Sequence, residues 1–184
     1  MKAIVVWERG TTRYNSISED DMVEGFVMFT QFSRDSAVHV KICLDGLGPE
    51  RARGFHIHEK GLKNMSELED DVASCCDRLG GHFNVREKWS PEYPHGTPHG
   101  KHTGDLCFNI ISDEEGKVRT SFMDDKISLY RGDNCIIGRG LVIHEDEDDR
   151  GVGIYEDEKK TDESKKTGNA GKRMACGTIE RVFD

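Results

Sequence analysis

Residues 37–44 read AVHVKICL, and apolar side chains take every second position along this stretch. Successive side chains of an extended chain point to opposite faces, so alternate residues share a face. The apolar residues that fall on one face are Val38, Val40, Ile42 and Leu44. We therefore predict a half-buried β-strand here, with one face packed into a hydrophobic core.

Seven other short runs have the composition of β-strands: residues 3–7, 23–29, 106–111, 118–123, 127–130, 141–144 and 174–182. The turn-forming sequences DGLG, DEEG and RGDN lie between runs of this kind. The best helical candidate, residues 64–75, is predicted to give at most one or two turns inside a loop. Eight short strands without a long helix predict an all-β fold, an antiparallel sandwich or barrel.

The length of 184 residues predicts a single domain spanning residues 1–184. Two long polar segments, at 59–104 and 145–172, interrupt the predicted strands. Loops longer than about 12–15 residues in a compact domain are usually functional or disordered. Both segments are rich in glycine, histidine or charge, so we expect them to carry much of the chemistry.

The chain has a formal net charge of −9, and residues 144–163 are strongly acidic. This charge repels nucleic acids and anionic membranes, so we expect neither as a partner. The apolar run at the amino terminus ends at Glu8 and Arg9 and is shorter than the core of a secretory signal. No apolar run approaches the roughly 20 residues that span a bilayer. These features predict a cytoplasmic protein.

Residues 54–61 read GFHIHEKG and place His56 and His58 one residue apart. On a strand, these two side chains point to the same face and can converge on one metal ion. The pair alone is weak support, since two surface histidines at a strand end would have the same spacing. Every remaining histidine except His39 also lies in a short polar motif: His82, His95, His99, His102 and His144.

The residue types indicate which metals would bind. Several imidazoles with one carboxylate, Asp105, and no thiolate favour Cu(II) or Zn(II) and disfavour a structural zinc finger. The six cysteines contain no CxxC pair, which also disfavours a zinc finger. Cupin folds carry a similar HxH motif but expect a glutamate a few residues later, where this chain has Leu62 and Lys63. A copper or zinc site is the preferred interpretation.

Five motifs follow one another along the chain: GFHIHEKG, GGHFN, HTGDL, CIIGRGLVIHEDEDDRG and TGNAGKRMACGTI. In this order they resemble the successive signatures of the intracellular copper/zinc superoxide dismutases, over nearly the whole chain. The resemblance implies a homodimer of eight-stranded antiparallel Greek-key β-barrels or sandwiches with two long functional loops. Residues 59–104 would be the disulfide and zinc loop, and residues 145–172 the acidic electrostatic loop.

The same resemblance implies the activity and its cofactors. Two superoxide anions would be converted to oxygen and hydrogen peroxide by redox cycling of a histidine-bound copper, as an antioxidant defence. Each subunit would bind one copper and one zinc, bridged by His82. The implied copper ligands are His56, His58, His82 and His144. The implied zinc ligands are His82, His95, His102 and Asp105.

Other residues acquire roles from the same resemblance. Arg173 matches the arginine that holds superoxide beside copper, so Arg173 and His82 are the implied catalytic residues. Asp148 matches the carboxylate that links a copper ligand to a zinc ligand and so orients both. Lys166 and Thr167 resemble the rim of the active-site channel of the family.

Cys76 and Cys176 match the disulfide that ties the first long loop of the family to its last strand. Two assignments have an alternative that stays open: Cys75 could replace Cys76 in the disulfide, and His99 could replace His95 as the zinc ligand. The motif HGTP around His95 is closer to the HGxP of the family than HGKH around His99.

Three departures from the family pattern remove no implied ligand. Arg53 stands where many members have a histidine, CFN at 107–109 replaces a shorter GN, and the segment between His58 and Cys76 is longer than usual. The role of residues 59–75 and the details of the dimer contact therefore stay open, as does the need for a copper chaperone.

A rival hypothesis is a non-enzymatic copper or zinc binder, or a decoy that captures partners of the cellular enzyme through a shared fold. Such a protein should have lost a copper ligand or the guiding Arg173. Both are present in the sequence, which favours the enzyme.

Overall fold

The computed structural model describes residues 1–7, 22–62, 76–85 and 101–183. Within these ranges the chain folds into nine β-strands and the helix α1 (Glu158–Thr167). The strands are β1 (Lys2–Trp7), β2 (Glu24–Thr30), β3 (Val38–Asp45), β4 (Ala52–His58), β5 (Asn109–Ile111), β6 (Val118–Asp124), β7 (Gly140–His144), β8 (Arg173–Thr178) and β9 (Glu180–Val182).

Two antiparallel sheets enclose a shared hydrophobic core. The first sheet has the strand order β6-β3-β2-β1-β9, and the second has the order β5-β4-β7-β8. Both sheets contribute to the core, for example with Phe29 and Ile42 from the first and Phe55 and Leu141 from the second. The prediction of an all-β fold with an antiparallel, sandwich-like arrangement is confirmed.

Strands β3 and β4 differ in how their two faces are buried. In β3, buried residues alternate with partly exposed ones, as the sequence pattern predicts for a strand with one face in the core. In β4, residues on both faces are buried. Phe55 and Ile57 enter the core on one face, whereas His56 and His58 are buried on the other face. The loops that cover this second face create the site described below.

Three of the predicted strands differ from the structure by more than one residue. Residues 127–130 contribute only an isolated bridge from Ser128 to Cys135. Strand β5 begins at Asn109 because Leu106 and Phe108 have positive φ angles of 37° and 66°, which a strand does not accommodate. The last predicted strand divides into β8 and β9 at Ile179, whose backbone N–H and C=O bond to Arg139 and Gly138.

The helix α1 was not anticipated, because it has no apolar stripe. Of its side chains only Ser164 is buried. Its ends are nevertheless well defined, since the Asp157 side chain accepts a hydrogen bond from the Lys159 N–H and Gly168 closes the helix at a φ of 77°. In the part of the chain that the structure describes, no helix is long and apolar enough to span a bilayer. The candidate turns at 64–75 lie outside the described residues.

A disulfide joins Cys76 to Cys176, the pair that the resemblance implied, with a Cα–Cα distance of 5.8 Å and a sequence separation of 100. Both cysteines pack with Leu79 and Val142 in a small apolar cluster beside the main core. The bond thereby fixes a part of the first long loop, 59–104, to the buried strand β8. The alternative partner, Cys75, lies outside the described residues, and Cys43, Cys107 and Cys135 are unpaired thiols.

We predict that Cys76→Ser lowers the free energy of unfolding by about 2–5 kcal/mol, because the bond restricts a long loop of the unfolded chain. Urea denaturation without reductant measures this change. Cys43→Ser is the matched control, since it removes a thiol that lies on β3 and takes no part in the disulfide. Equal midpoints and slopes for Cys76→Ser and the parent protein would contradict the prediction.

Candidate metal centre

Four imidazoles meet on the outer face of β4. His56 and His58 lie on β4, His144 ends the neighbouring strand β7, and His82 reaches the group through a β-bridge to His58. One ring nitrogen of each lies within 4.8 Å of those of the other three. All four residues are at least nine-tenths buried. We call them the four-histidine group.

The strand register and a glycine bring these rings together. His144 falls at an irregularity in the β7–β8 ladder, where it pairs with Arg173. Gly54 lies under the rings, and a Cβ atom there would come within 2.7 Å of Ala170 Cβ and 3.1 Å of the His56 ring. Any larger residue at position 54 would therefore displace the histidines.

Hydrogen bonds fix the orientation of three rings. His58 Nδ1 lies 2.9 Å from the Gly80 carbonyl and His144 Nδ1 lies 3.2 Å from the Gly171 carbonyl. A carbonyl only accepts, so each Nδ1 carries the proton and each Nε2 carries a lone pair. His56 uses the opposite nitrogen, with Nε2 at 2.7 Å from Asp148 Oδ2.

The Nε2 atoms of His58 and His144 are buried and have no hydrogen-bond partner among the described residues. Buried polar atoms in native proteins are almost always partnered, so these two nitrogens call for an explanation. A metal ion held by the lone pairs supplies one, and the hydrogen bonds at the opposite nitrogens are typical of metal-bound histidines. The residues of the four-histidine group thus fit a bound metal ion.

A second group adjoins the first and shares one member with it. His82, His102 and Asp105 have ligand atoms within 4.8 Å of one another, and we call them the His/Asp group. Asp105 is fully buried, with Oδ1 2.7 Å from His82 Nδ1 and Oδ2 3.1 Å from His102 Nδ1. Its Oδ2 also accepts from the His102 backbone N–H at 2.6 Å. His95 and His99, the alternative fourth members, lie outside the described residues.

Burial lowers the pKa of the central imidazoles. Desolvation is the largest cause for each of them, followed by the neighbouring imidazoles. The pKa of His58 and of His144 falls well below the ordinary value of 6.5, and that of His82 falls to about 3. These rings are therefore neutral near pH 7, which is the state that binds a metal.

Arg173 lies at the edge of the four-histidine group. It is close enough to His58 and His144 to contribute to the lowering of their pKa. Its guanidinium donates to the carbonyl of Cys76 at 2.7 Å and to that of Gly80 at 2.6 Å. The disulfide segment therefore holds the charge of Arg173 in place beside the buried rings. Lys166 and Thr167 lie at the last turn of α1, where Thr167 Oγ1 bonds to Glu163.

Two structural residues near the group were not assigned a role from the sequence. The Asn109 side chain forms two hydrogen bonds with the backbone of Asp148. Its Nδ2 donates to the Asp148 carbonyl at 2.9 Å, and its Oδ1 accepts from the Asp148 N–H at 2.8 Å. Arg53 is buried and donates to the carbonyls of Leu47 at 2.8 Å and Glu145 at 2.6 Å. The sequence does not predict either set of hydrogen bonds. It does show that both positions are unusual, because Asn109 belongs to the motif CFN and Arg53 stands where many members of the family have a histidine.

We predict that the metal-free protein loses stability as the pH falls below about 6.5. The unfolded chain takes up protons on its histidines near that value, whereas the folded chain does not, since His82 in the fold protonates only at about 3. Each such histidine removes about 1.4 kcal/mol per pH unit. Urea denaturation of the demetallated protein between pH 7 and pH 5 measures the slope.

His82→Gln should reduce that slope by about one proton, because it removes a histidine whose pKa is lowered in the fold. A free energy of unfolding that stays constant from pH 7 to pH 5 in the parent protein would contradict the prediction.

Comparisons with known proteins agree with this geometry. The family model for copper/zinc superoxide dismutase (SODC) matches residues 23–179. A superoxide dismutase [Cu-Zn] of Schizosaccharomyces pombe is 42% identical over 166 residues, which are 87% of this chain and 91% of the relative. The extracellular superoxide dismutase [Cu-Zn] of Drosophila melanogaster is 41% identical over 164 residues, 88% of this chain and 78% of the relative.

A comparison with solved structures finds a similar fold. The crystal structure of the clock protein EA4 matches with a TM-score of 0.73 and 36% sequence identity, covering 98% of this chain and 94% of that one. The family match extends from β2 to the residue between β8 and β9 and includes both metal-binding groups. The chain therefore belongs to the copper/zinc superoxide dismutase family, oxidoreductases that act on superoxide and have copper and zinc as their characteristic cofactors.

Proposed function

We propose that this chain disproportionates superoxide with copper bound by the four-histidine group and zinc bound by the His/Asp group together with His95. The observation that carries the proposal is the shared ring of His82. Its centroid lies 4.1 Å from that of His56 and 5.4 Å from that of His102. A histidine has two ring nitrogens, so one ring can serve two adjacent ions. His95 enters the set from its sequence motif alone.

Bound copper would supply a one-electron redox couple, and bound zinc a redox-silent cation that fixes the geometry of its ligands. The chain prepares the site by keeping the rings neutral, through the burial that lowers the pKa of His58, His82 and His144. His82 Nδ1 faces Asp105 at 2.7 Å. The opposite nitrogen, Nε2, is therefore the atom at which His82 would hold a proton for the peroxide product.

Asp148 would orient the copper side of the site. Its Oδ2 holds His56 Nε2 at 2.7 Å, while its backbone is fixed by the side chain of Asn109. A carboxylate behind a ligating histidine sets the ring orientation and raises its basicity as a ligand. The link from Asp148 to a zinc ligand stays a prediction from the family resemblance.

Arg173 would attract the substrate anion and hold it beside the four-histidine group. The net charge of −9 opposes an anion at long range, but a cation at the mouth of a buried site creates a local field of the opposite sign. Lys166 and Thr167, at the end of α1, would form part of the rim of this mouth. Focused fields of this kind raise association rates by about 10- to 1,000-fold.

The second candidate function is a metal binder without turnover. It is disfavoured because all four members of the copper set and Arg173 are present and close together in the described residues. Metal analysis combined with a superoxide-consumption assay separates the two. One copper and one zinc per chain with superoxide consumption supports the enzyme, and full metal content without consumption supports the binder.

Wider properties of the protein follow the family. We propose one domain over residues 1–184, with the loops 59–104 and 145–172 serving the metals, since strands from both sheets share one core. The homodimer is proposed from the family resemblance alone. Burial of the copper set supports delivery by a copper chaperone, and a cytoplasmic location is proposed from the resemblance to the intracellular members of the family.

The zinc assignment predicts that Asp105→Ala loses zinc and keeps copper. The substitution removes the carboxylate shared by the His/Asp group and does not touch His56, His58 or His144. Zinc affinity should fall by more than the roughly 10- to 100-fold that losing an outer-shell partner costs. Elemental analysis after dialysis against a weak chelator measures both metals. Asp146→Ala, an exposed acid in the other loop, is the matched control. Full zinc in Asp105→Ala would contradict the assignment.

The guidance role predicts that Arg173→Ala slows superoxide consumption by about 10-fold or more at low ionic strength and weakens its salt dependence. Arg173→Lys should keep part of both effects because the charge is retained. The matched control is Arg181→Ala, an exposed arginine on β9. The assay is second-order superoxide decay at low and high salt, with metal content checked for each variant. Metal-loaded Arg173→Ala with the kinetics of the parent protein would remove Arg173 from the mechanism.

A further inference from the structure

The ring of Phe108 lies within reach of two cations from different segments. Lys101 Nζ is 4.9 Å from the ring centroid, and Arg150 Cζ is 5.6 Å from it. Both distances are within the roughly 6 Å at which a cation is attracted by an aromatic face. Phe108 belongs to the CFN sequence that replaces a shorter GN in the family, so this arrangement is a feature of this chain.

Each cation belongs to a segment of the metal centre. Lys101 precedes His102 directly, and its Nζ donates to the Leu106 carbonyl, so it lies over the loop that carries the His/Asp group. Arg150 lies two residues after Asp148, and its backbone N–H donates to Asp148 Oδ1 at 2.7 Å. The Phe108 ring therefore contacts both the zinc-binding segment and the segment of Asp148.

The backbone of Phe108 is fixed as well. Its N–H donates to the Asp105 carbonyl at 2.6 Å, and its carbonyl accepts from the Phe55 N–H of β4 at 2.8 Å. Phe108 has a positive φ of 66°, so its backbone is not extended and the strand begins at the next residue, Asn109. The next residue, Asn109, grips the Asp148 backbone from both sides. The ring thus extends from a rigid base on the sheet that carries His56.

We propose that Phe108 is a positioning residue that, with Lys101 and Arg150, forms a latch between the zinc-binding segment 102–105 and the Asp148 segment. The latch slows the release of zinc. It rests on the proposed zinc ligands, because the segment that it holds carries His102 and Asp105. Zinc leaves when its ligands separate, and movement of this segment away from His82 stretches or breaks the contact of Lys101 with the ring.

The experiment uses the full-length protein loaded with copper and zinc and follows zinc release to an excess of a chromogenic zinc chelator. Phe108→Leu keeps most of the apolar volume but removes the aromatic face, and it should release zinc roughly 5- to 30-fold faster if two cation contacts are lost. Phe108→Tyr keeps the face and should restore the parent rate. Copper release and the unfolding temperature of the metal-free protein should change little in either variant.

A second pair of variants tests the cations. Lys101→Met and Arg150→Met should each release zinc roughly 2- to 5-fold faster, and neither should add its full effect to that of Phe108→Leu. The matched control is Arg34→Met, because Arg34 lies 5.5 Å from the Tyr130 ring, away from the metal centre, and forms the same kind of contact. It should leave zinc release unchanged.

Three outcomes would overturn the latch. The first is zinc release from Phe108→Leu at the parent rate, and the second is release from Phe108→Tyr as fast as from Phe108→Leu. The third is an equal acceleration of copper and zinc release, which would indicate general loosening. Failure of the ligand assignment is distinguishable, because Asp105→Ala would then keep its zinc while the parent protein binds the metal elsewhere.

Discussion

Strand β4 buries imidazoles on its second face, and the surrounding loops are arranged to give their nitrogens partners. A strand in a two-sheet sandwich commonly has one face in the core and one in water, but β4 buries His56 and His58 on the face away from the core. Burying an imidazole nitrogen without a hydrogen-bond partner or a metal ion costs free energy. His58 Nδ1 bonds to the Gly80 carbonyl and His56 Nε2 bonds to Asp148, and the opposite nitrogens of both rings face the four-histidine group, which fits a metal ion.

This requirement explains why irregular segments are held so closely to the second sheet. The first long loop, 59–104, returns to β4 through backbone hydrogen bonds of Phe83 and Gly104 with Ile57. The acidic loop returns through Asp146, whose carbonyl accepts from the Gly54 N–H, and through the Asn109 clamp on Asp148. Each bond satisfies a backbone group that the absence of water would otherwise leave unpaired. Among the described residues, the parts of these loops next to the metal-binding groups are tied to the sheet by backbone hydrogen bonds.

The sequence predicts those features that repeat or that recur as motifs. Alternation identified β3, and the histidine motifs identified the members of both metal-binding groups within the described residues. The helix α1 escaped, because polar caps and the single buried Ser164 define it without apolar periodicity. Asn109 and Phe108 escaped for a different reason: their partners, Asp148 and Arg150, are about forty residues away in sequence, and only the folded chain brings them together.

The Cys76–Cys176 disulfide also fixes the position of Arg173 beside the four-histidine group. Arg173 lies three positions before Cys176 on β8, and its guanidinium donates to the carbonyl of Cys76, the residue to which Cys176 is bonded. A second bond to the Gly80 carbonyl brings Arg173 to the same acceptor that orients His58. Arg173 and His58 are thus both held by hydrogen bonds to one short stretch, residues 76–80. Because the disulfide fixes that stretch to β8, the position of the positive charge relative to the buried rings follows from a covalent bond and does not depend on a flexible side chain alone.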